Sequence, residues 1–467
     1  HKGILHDENV FDIKTGFCII FLLKFNPNTS KTQKNQIYFK EIYGSKVIKE
    51  EFLKRDFDFQ DFELITLDEQ FRFKKQEKTS RIASEYLNFI DINDLFINSS
   101  QGIVTAHDSL VSDYDLQRLK QKILDFFNTK AENFDENGVK YSKGRDWDPN
   151  DARIETTSEK AIDSIIKWAY RGFDRNYLCY DLPLINCSTH RYALMKYVVP
   201  KLKNGAFESN NRAICVTRET YSADWTSVLM TDIPIDNGMI SGSSGSRTYV
   251  FLLKTNHSNI RQKWIVELSN HYGHPITAEQ IFYFIYAIMW CPSYRKKYLA
   301  FLKKEFPKIP LYESKNFKLF LSLYSFGKLL GDLHSYKLSE STIKALSNEF
   351  PVSFSTDSTI RYNSKTIYSS IDKQIHLNSN FCIKNISTEM WDFEIGGIRQ
   401  LKNWIKNRRY SLAPKKSHKT LPRPLNQHEI TEFQSICYII RETLNIMKKI
   451  DEVFFKYMNF GEKRDLE

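Results

Sequence analysis

Residues 278–291 are the most restrictive segment of the chain, because they are apolar at almost every position yet too short to span a membrane. This pattern predicts a helix that is buried on all sides. Pro292 ends that helix, and the following residues predict a second, amphipathic helix with aromatic side chains on one face. We expect its other face to expose Arg295, Lys296, Lys297, Lys303 and Lys304. The fold must therefore enclose one helix and present a basic surface beside it.

The rest of the chain predicts a mixture of helices and short strands. Apolar runs predict strands at residues 17–24, 176–182, 213–218, 226–233 and 248–254. Apolar periodicity predicts helices over residues 115–128 and 158–168. A last helix is predicted from Asn426, because Glu429 completes a capping box and an apolar stripe then continues to Phe454. This order of elements predicts an α+β protein.

The composition favours a polyanionic partner in a reducing compartment. Among 467 residues, 67 Lys and Arg outnumber 56 Asp and Glu, which gives a net charge of +11. Such a balance suits nucleic acid or an anionic membrane surface, although the codon bias of an AT-rich genome explains excess lysine equally well. The seven cysteines form no Cys-x-x-Cys pair, which favours a cytoplasmic location. No apolar stretch is long enough to predict a membrane span.

Motifs for common catalytic chemistry are missing from the sequence. Residues 241–247, SGSSGSR, are rich in Gly and Ser but lack the lysine of a phosphate-binding loop. His271 and His274 have no nearby Cys or carboxylate to complete a metal site. DNA amino-methyltransferases hold a flipped base against an Asn/Asp-Pro-Pro-aromatic loop. Only CPSY at 291–294 and DPND at 148–151 approach this pattern, and no Gly-rich turn for S-adenosylmethionine is found. We therefore expect no catalytic, cofactor or metal residues in this chain.

One segment resembles a known family. Residues 281–311, IFYFIYAIMWCPSYRKKYLAFLKKEFPKIPL, resemble a stretch in the C-terminal halves of single-polypeptide Type I (Type ISP) restriction–modification enzymes and related fused enzymes. The positions that match the family pattern are Tyr286, Ala287, Pro292, Tyr294, Arg295, Tyr298, Phe301, Leu302, Phe306, Pro307, Ile309 and Pro310. Trp290 and Cys291 replace the His-Ser of the pattern, and Lys308 replaces an arginine.

Further segments resemble the same family in the family's order. Residues 6–24 are similar to the end of its methyltransferase domain. Residues 92–111 resemble the entry to its target-recognition region, with Thr105 and Asp108 of a Thr-Gly-Arg-Asp pattern retained. The segment YRGFD resembles Tyr-Arg-Pro-Phe-Asp, with Gly172 in place of proline. Near the C-terminus, Gly396, Gly397, Trp404 and Arg408 match a further signature. Each segment alone is weak, but the ordered set strongly indicates the family.

The resemblance implies the domain organisation. Residues 1–76 would be the remnant of a Rossmann-like methyltransferase sheet, 77–400 a mixed α/β target-recognition domain, and 401–467 a basic segment with a long C-terminal helix. The expected partners are double-stranded DNA and the remaining nuclease, translocase and methyltransferase parts, upstream in the same or a neighbouring chain. S-adenosylmethionine, ATP and Mg are expected for the parent enzyme, which would methylate adenine and cleave unmodified DNA.

Candidate DNA contacts are cations predicted on loops and on the basic helix. Arginine and lysine can bind phosphates without reading sequence, whereas arginine can also read base edges in the major groove. The candidates are Arg153, Arg171, Arg175, Arg191, Arg212, Arg218, Arg247, Arg295, Lys296, Lys415 and Lys416. A solvated surface explains the basic helix equally well, and Arg171 could instead pair internally with Asp174.

The sequence leaves two other functions open. One is a free-standing DNA adenine methyltransferase with degenerate motifs, which tight binding of S-adenosylmethionine would favour. The other is an inactive fragment or interaction subunit, which a failure to bind any duplex at low salt would favour.

Overall fold

The structure is a computed structural model that describes most of the chain after residue 36. The described residues are 10, 37–40, 42, 44–56, 58–65, 81–105, 107–128, 147–185, 192–199, 201–203, 206–208, 211–240, 246–354, 360, 367–379, 381–410, 420–421 and 423–460. The strand predicted at residues 17–24 lies outside these ranges, as does the sheet remnant to which it would belong.

The chain divides into two compact units, residues 1–84 and 85–467. In the first unit, strand β1 (Ile37–Phe39) pairs with β2 (Glu63–Ile65) in antiparallel register, and helix α1 (Lys46–Lys54) lies between them in sequence. Helix α2 (Arg81–Leu87) crosses the division. Residues 401–460 fall within the second unit, whereas the resemblance implied a separate region there. The expected boundary after residue 76 stays a prediction.

The second unit alternates short strands with helices. Its helices are α3 (Ile92–Leu95), α4 (Asp108–Val111), α5 (Leu116–Asn128), α6 (Pro149–Glu155), α7 (Ser158–Asp163), α8 (Gln262–Tyr272), α9 (Ala278–Trp290), α10 (Pro292–Lys297), α11 (Leu299–Leu302), α12 (Phe317–His334), α13 (Glu340–Glu349), α14 (Thr388–Trp391), α15 (Gln400–Asn407) and α16 (Gln427–Tyr457). Its strands are β3 (Ile90–Asp91), β4 (Ser100–Gln101), β5 (Ser112–Asp113), β6 (Ile165–Arg171), β7 (Asp174–Cys179), β8 (Lys201–Lys203), β9 (Ala206–Glu208), β10 (Ala213–Thr217), β11 (Val228–Thr231), β12 (Thr248–Leu252), β13 (Lys308–Ile309), β14 (Val352–Phe354), β15 (Ile367–Ser369), β16 (Gln374–Asn378), β17 (Phe381–Ile383), β18 (Glu394–Ile395), β19 (Ile398–Arg399), β20 (Arg409–Tyr410) and β21 (Thr420–Leu421). The α+β fold class is confirmed.

Two antiparallel sheets form the β part of the core. One has the strand order β11-β10-β12-β4 and the other β5-β7-β6. A short extended segment joins them, because Ala169 of β6 bridges to Ile235 while Ile103 bridges to Asp236. β10 and β11 are buried at every position, which explains why their sequences are almost continuously apolar.

Three helices form the α part of the core. All residues of α9 from Ile281 to Trp290 are buried, as its sequence predicts. α9 packs against α12 at close range, since a Cβ at Gly327 would overlap the carbonyl oxygen of Tyr283. α16 packs against both helices and begins with the predicted capping box between Asn426 and Glu429. The predicted basic helix corresponds to the short helices α10 and α11, and α10 packs against α9 and α16.

The predicted extent of one helix is wrong. The helix predicted over residues 158–168 ends at Asp163, and a strand begins two residues later. Ile165, Ile166 and Trp168 favour a strand because branched and aromatic residues pack well across β7.

Gly172 forms the β6–β7 turn with φ +53°, a conformation that proline cannot adopt. The proline of the family pattern is therefore incompatible with this turn as it stands.

Candidate nucleic-acid interface

Most of the predicted arginines are engaged inside the protein. Arg212 is buried, and its guanidinium donates to the carbonyl of Gly331 at 2.8 Å and pairs with Asp332 at 2.7 Å. Arg153 donates to the carbonyl of Phe126 at 2.9 Å. Such contacts fix the ends of helices and leave little of either guanidinium for a ligand.

Arg171 and Asp174 do not pair with each other, so the predicted internal pair is wrong. Arg171 pairs with Asp236, whose carboxylate also accepts from the backbone N–H of Gly238 at 2.7 Å. Burial raises the pKa of Asp236 to about 6, although the charge of Arg171 opposes this shift. Asp174 instead pairs with Arg408 at 2.7 Å. The chain turns at Gly172 between β6 and β7, and Arg171 and Asp174 on either side of the turn bind different partners.

Arg175 lies in a polar cleft of about 250 Å³. Its guanidinium stacks on the ring of Tyr336 at 4.0 Å and lies 3.8 Å from a carboxylate oxygen of Asp232. Charges of both signs line the cleft, and Arg423 there bridges Asp115 and Glu429. The cleft therefore has no strong excess of positive charge.

The expectation that Arg295 is exposed is wrong. Only 8% of the residue is accessible, and its guanidinium lies 4.3 Å from the Trp290 ring and 5.7 Å from the Trp225 ring. Its Nε donates to the carbonyl of Met289 at 2.6 Å. Burial lowers its pKa to about 10. The aromatic surroundings draw the flat guanidinium inwards, whereas Lys296, the next residue, is exposed as predicted.

Two predicted arginines differ from the others because they are exposed and form no ion pair with any described residue. Arg218 follows β10 and Arg247 precedes β12. The paired residues Thr217 and Thr248 come immediately before and after them, so the arginines lie at the same end of the four-stranded sheet. Arg247 donates to Gln101 of the edge strand at 3.5 Å. We call Arg218, Arg247 and Gln101 the arginine corner.

The basic segment after α11 borders the arginine corner. The backbone N–H of Thr220, two residues after Arg218, donates to the carbonyl of Lys303 at 3.2 Å. The Lys303 ammonium in turn lies 3.4 Å from the carbonyl of Ala223. Lys304 is exposed beside it. The structure thus brings together two sets of cations, the loop arginines and the lysines of the basic helix, that the sequence predicts separately.

A glycine turn fixes the loop that carries Arg218. The backbone N–H groups of Gly396 and Gly397 donate to the carbonyl and the hydroxyl of Thr226. Both glycines have positive φ, and a Cβ at Gly396 would overlap the carbonyl oxygen of Ile240. Side chains cannot be added here without moving one of the loops beside the arginine corner.

Other predicted contacts are not placed. Arg191, Lys415 and Lys416 lie outside the described residues, so they stay predictions. Gln101, Lys303 and Gly396 were not predicted as parts of one site, since only the sheet register and the loop contacts bring them together. Within the described residues, no group of His, Cys, Asp or Glu could hold a metal ion, and no helix is long and apolar enough to cross a membrane.

Comparison with solved structures identifies the fold. The chain is similar to the ATP-dependent Type ISP restriction–modification enzyme LlaBIII bound to DNA, with 16% identity, a TM-score of 0.58, and coverage of 84% of this chain and 25% of that one. It is similar to a nuclease-deletion mutant of the Type ISP enzyme LlaGI with a DNA substrate mimic (16%, TM-score 0.54, 90% and 39%). It is also similar to DrdV in a DNA complex (17%, TM-score 0.59, 89% and 43%). The chain therefore shares the fold of a part of each of these three proteins.

Comparison with protein families gives the particular family. The model of the Type ISP C-terminal specificity domain matches residues 94–449, and the chain belongs to this family. No curated protein matched. The chain spans less than half the length of each of the three similar structures.

Proposed function

We propose that this chain recognises a specific sequence in double-stranded DNA as the specificity part of a Type ISP restriction–modification enzyme. The observation that carries the proposal is the row of exposed cations at one end of the four-stranded sheet, within the residues that the specificity-domain family matches. Arg218 and Arg247 form no ion pair with any described carboxylate there, so an anionic ligand could supply the missing charge. The DNA bound to the similar enzymes supports the choice of ligand.

The parent enzyme would methylate adenine in the recognised site and cleave DNA that lacks the modification. We assign S-adenosylmethionine, ATP and Mg to its methyltransferase, translocase and nuclease parts, and none of them to residues of this chain. The role of the chain is then to position the duplex so that the methyltransferase part can flip the target adenine.

The test is a selection from randomised duplexes with the 467-residue chain, followed by binding measurements at several salt concentrations. We expect one preferred sequence and a steep loss of affinity with salt, because each neutralised phosphate releases counterions. Lys304→Ala should lower affinity for all duplexes alike and reduce the slope of log K against log salt by roughly 0.9.

A matched control is Lys344→Ala. Lys344 is also exposed, but it lies on α13, 3.9 Å from Glu340 and away from the basic segment in sequence. This variant should bind as the wild type does. Recovery of no preferred sequence, together with binding that is flat between low and moderate salt, would refute the proposed function.

A further inference from the structure

The two arginines of the corner lie one residue beyond the last paired residues of two neighbouring antiparallel strands. β10 and β12 pair up to Thr217 and Thr248, and Arg218, directly after β10, and Arg247, directly before β12, flank this last pair. Opposite residues on antiparallel strands have Cβ atoms about 5 Å apart. Like charges in such a pair repel each other, so this arrangement costs the fold stability. An arrangement that opposes folding is more readily explained by a ligand than by packing.

No carboxylate in the described part of the chain neutralises this pair. The loop after Arg218 contains the exposed acids Glu219 and Asp224, yet neither forms an ion pair with Arg218 or Arg247. Arg247 is instead held by the neutral amide of Gln101. Both guanidiniums therefore keep free donors, in contrast to Arg171 and Arg212, each of which has an acid partner.

The loop that carries Arg218 is fixed at three points. Lys303 holds its first part through Thr220, the glycine turn holds Thr226, and Trp225 is buried beside the guanidinium of Arg295. A rigid support of this kind is needed for reading bases, because hydrogen bonds to base edges demand accurate placement. Contacts to phosphate need only charge and tolerate movement, and Lys304 beside the loop suits that role.

We propose that Arg218 and Arg247 read two guanines of the target sequence, an inference that rests on the function proposed above. The guanidinium donates two parallel hydrogen bonds to O6 and N7 of guanine in the major groove. Since base pairs are stacked about 3.4 Å apart, side chains about 5 Å apart at their Cβ atoms suit guanines in adjacent or next-but-one base pairs. Gln101 positions Arg247 for its guanine.

The experiment repeats the randomised-duplex selection with Arg218→Ala and Arg247→Ala, and then measures affinity for the selected duplex and for duplexes changed at each guanine. We expect the wild-type site to contain two guanines at most two base pairs apart. Each variant should lose discrimination at one of them, and the two variants at different ones, by roughly 5- to 150-fold. Gln101→Ala should weaken discrimination only at the guanine that Arg247 reads.

Two further sets of variants separate base reading from charge. Arg218→Lys and Arg247→Lys keep the charge but lose the planar fork, so they should retain the salt slope and still lose guanine discrimination. Arg261→Ala removes an exposed arginine beyond the other end of β12, and its discrimination should equal that of the wild type.

The outcomes distinguish this inference from the proposed function. If the wild type selects a sequence without such guanines, or if Arg218→Ala and Arg247→Ala weaken binding to all duplexes equally, the guanine reading is wrong and the proposed function stands. If the wild type selects no sequence, both fail.

Discussion

The buried pair of Asp174 and Arg408 should contribute strongly to the stability of the second unit. Both side chains are 2% exposed, and their closest nitrogen–oxygen distance is 2.7 Å. Asp174 also accepts hydrogen bonds from the hydroxyl of Tyr114 and the amide of Asn407, each at 2.8 Å. Burial lowers the pKa of Arg408, but the charges of Asp174 and Glu432 outweigh this effect and raise the pKa overall. Both residues belong to segments by which the sequence resembles the family.

Removing one partner leaves a buried charge without its counter-charge. Arg408→Met leaves Asp174 with two neutral donors, and we expect it to lower the free energy of unfolding by about 3–5 kcal/mol. Asp174→Asn should cost less, about 2–4 kcal/mol, since Glu432 remains 3.3 Å from Arg408. The double variant should be more stable than the sum of these losses predicts, by about 2–3 kcal/mol, because it leaves neither charge alone.

Urea unfolding followed by tryptophan fluorescence measures these changes. All seven tryptophans lie at residue 147 or beyond, so the signal reports on the second unit. Arg399→Met is the matched control, because Arg399 also has two acid partners but is 44% exposed, and it should cost at most about 1 kcal/mol. Single variants that cost no more than this control, or losses that simply add, would contradict the assigned role of the pair.

Three other predictions concern the surroundings of the interface. The folded-state pKa of Asp236, about 6, lies above its ordinary value of 3.8. The stability that Asp236 contributes, relative to Asp236→Asn, should therefore be fully present below pH 4 and fall by about 3 kcal/mol as the pH rises through 6. Urea unfolding of both proteins across this pH range will check this. Arg295→Met should change the free energy of unfolding by less than about 1.5 kcal/mol, whereas Arg295→Ala should cost about 2–5 kcal/mol through the cavity it leaves, as thermal or urea unfolding will show. Gly396→Ala should be destabilised and bind duplex DNA more weakly, whereas Gly273→Ala, with φ +67° and no atom near its added Cβ, should lose only about 1 kcal/mol and bind normally in the same assays.

The sequence predicted the apolar parts of the fold well, because buried positions require apolar residue types and these can be read directly from the sequence. α9, the capping box of α16 and strands β10 to β12 all lie where apolar periodicity and capping residues predict them. The helix predicted to continue to residue 168 was wrong because short apolar runs do not distinguish a buried strand from a helix. The pairing of β6 with β7 decides that case, and pairing over a distance cannot be read from the run itself.

The candidate interface was less predictable, because an arginine has the same sequence signal whether it is exposed or buried. Arg295 and Lys296 are neighbours in one basic run, yet the rings of Trp225 and Trp290 enclose the first and leave the second in solvent. Arg171 ends a largely apolar strand and Arg218 follows one, yet only Arg171 meets an acid, which comes from residue 236. Ion pairs, hydrogen bonds to carbonyls and aromatic packing within the fold thus engage five of the eight predicted cations that the structure describes.

The arginines that form no ion pair within the fold are the ones available to bind DNA. The acids at Asp174, Asp236 and Asp332 neutralise arginines that hold strands, loops and helices together, so those arginines cannot also bind a second anion without giving up an acid partner. Arg218 and Arg247 face no such competition, because no carboxylate among the described residues forms an ion pair with either of them. A duplex that binds there gains new ion pairs and breaks none. For this reason the stability of the fold and its affinity for DNA should respond to separate sets of arginine substitutions.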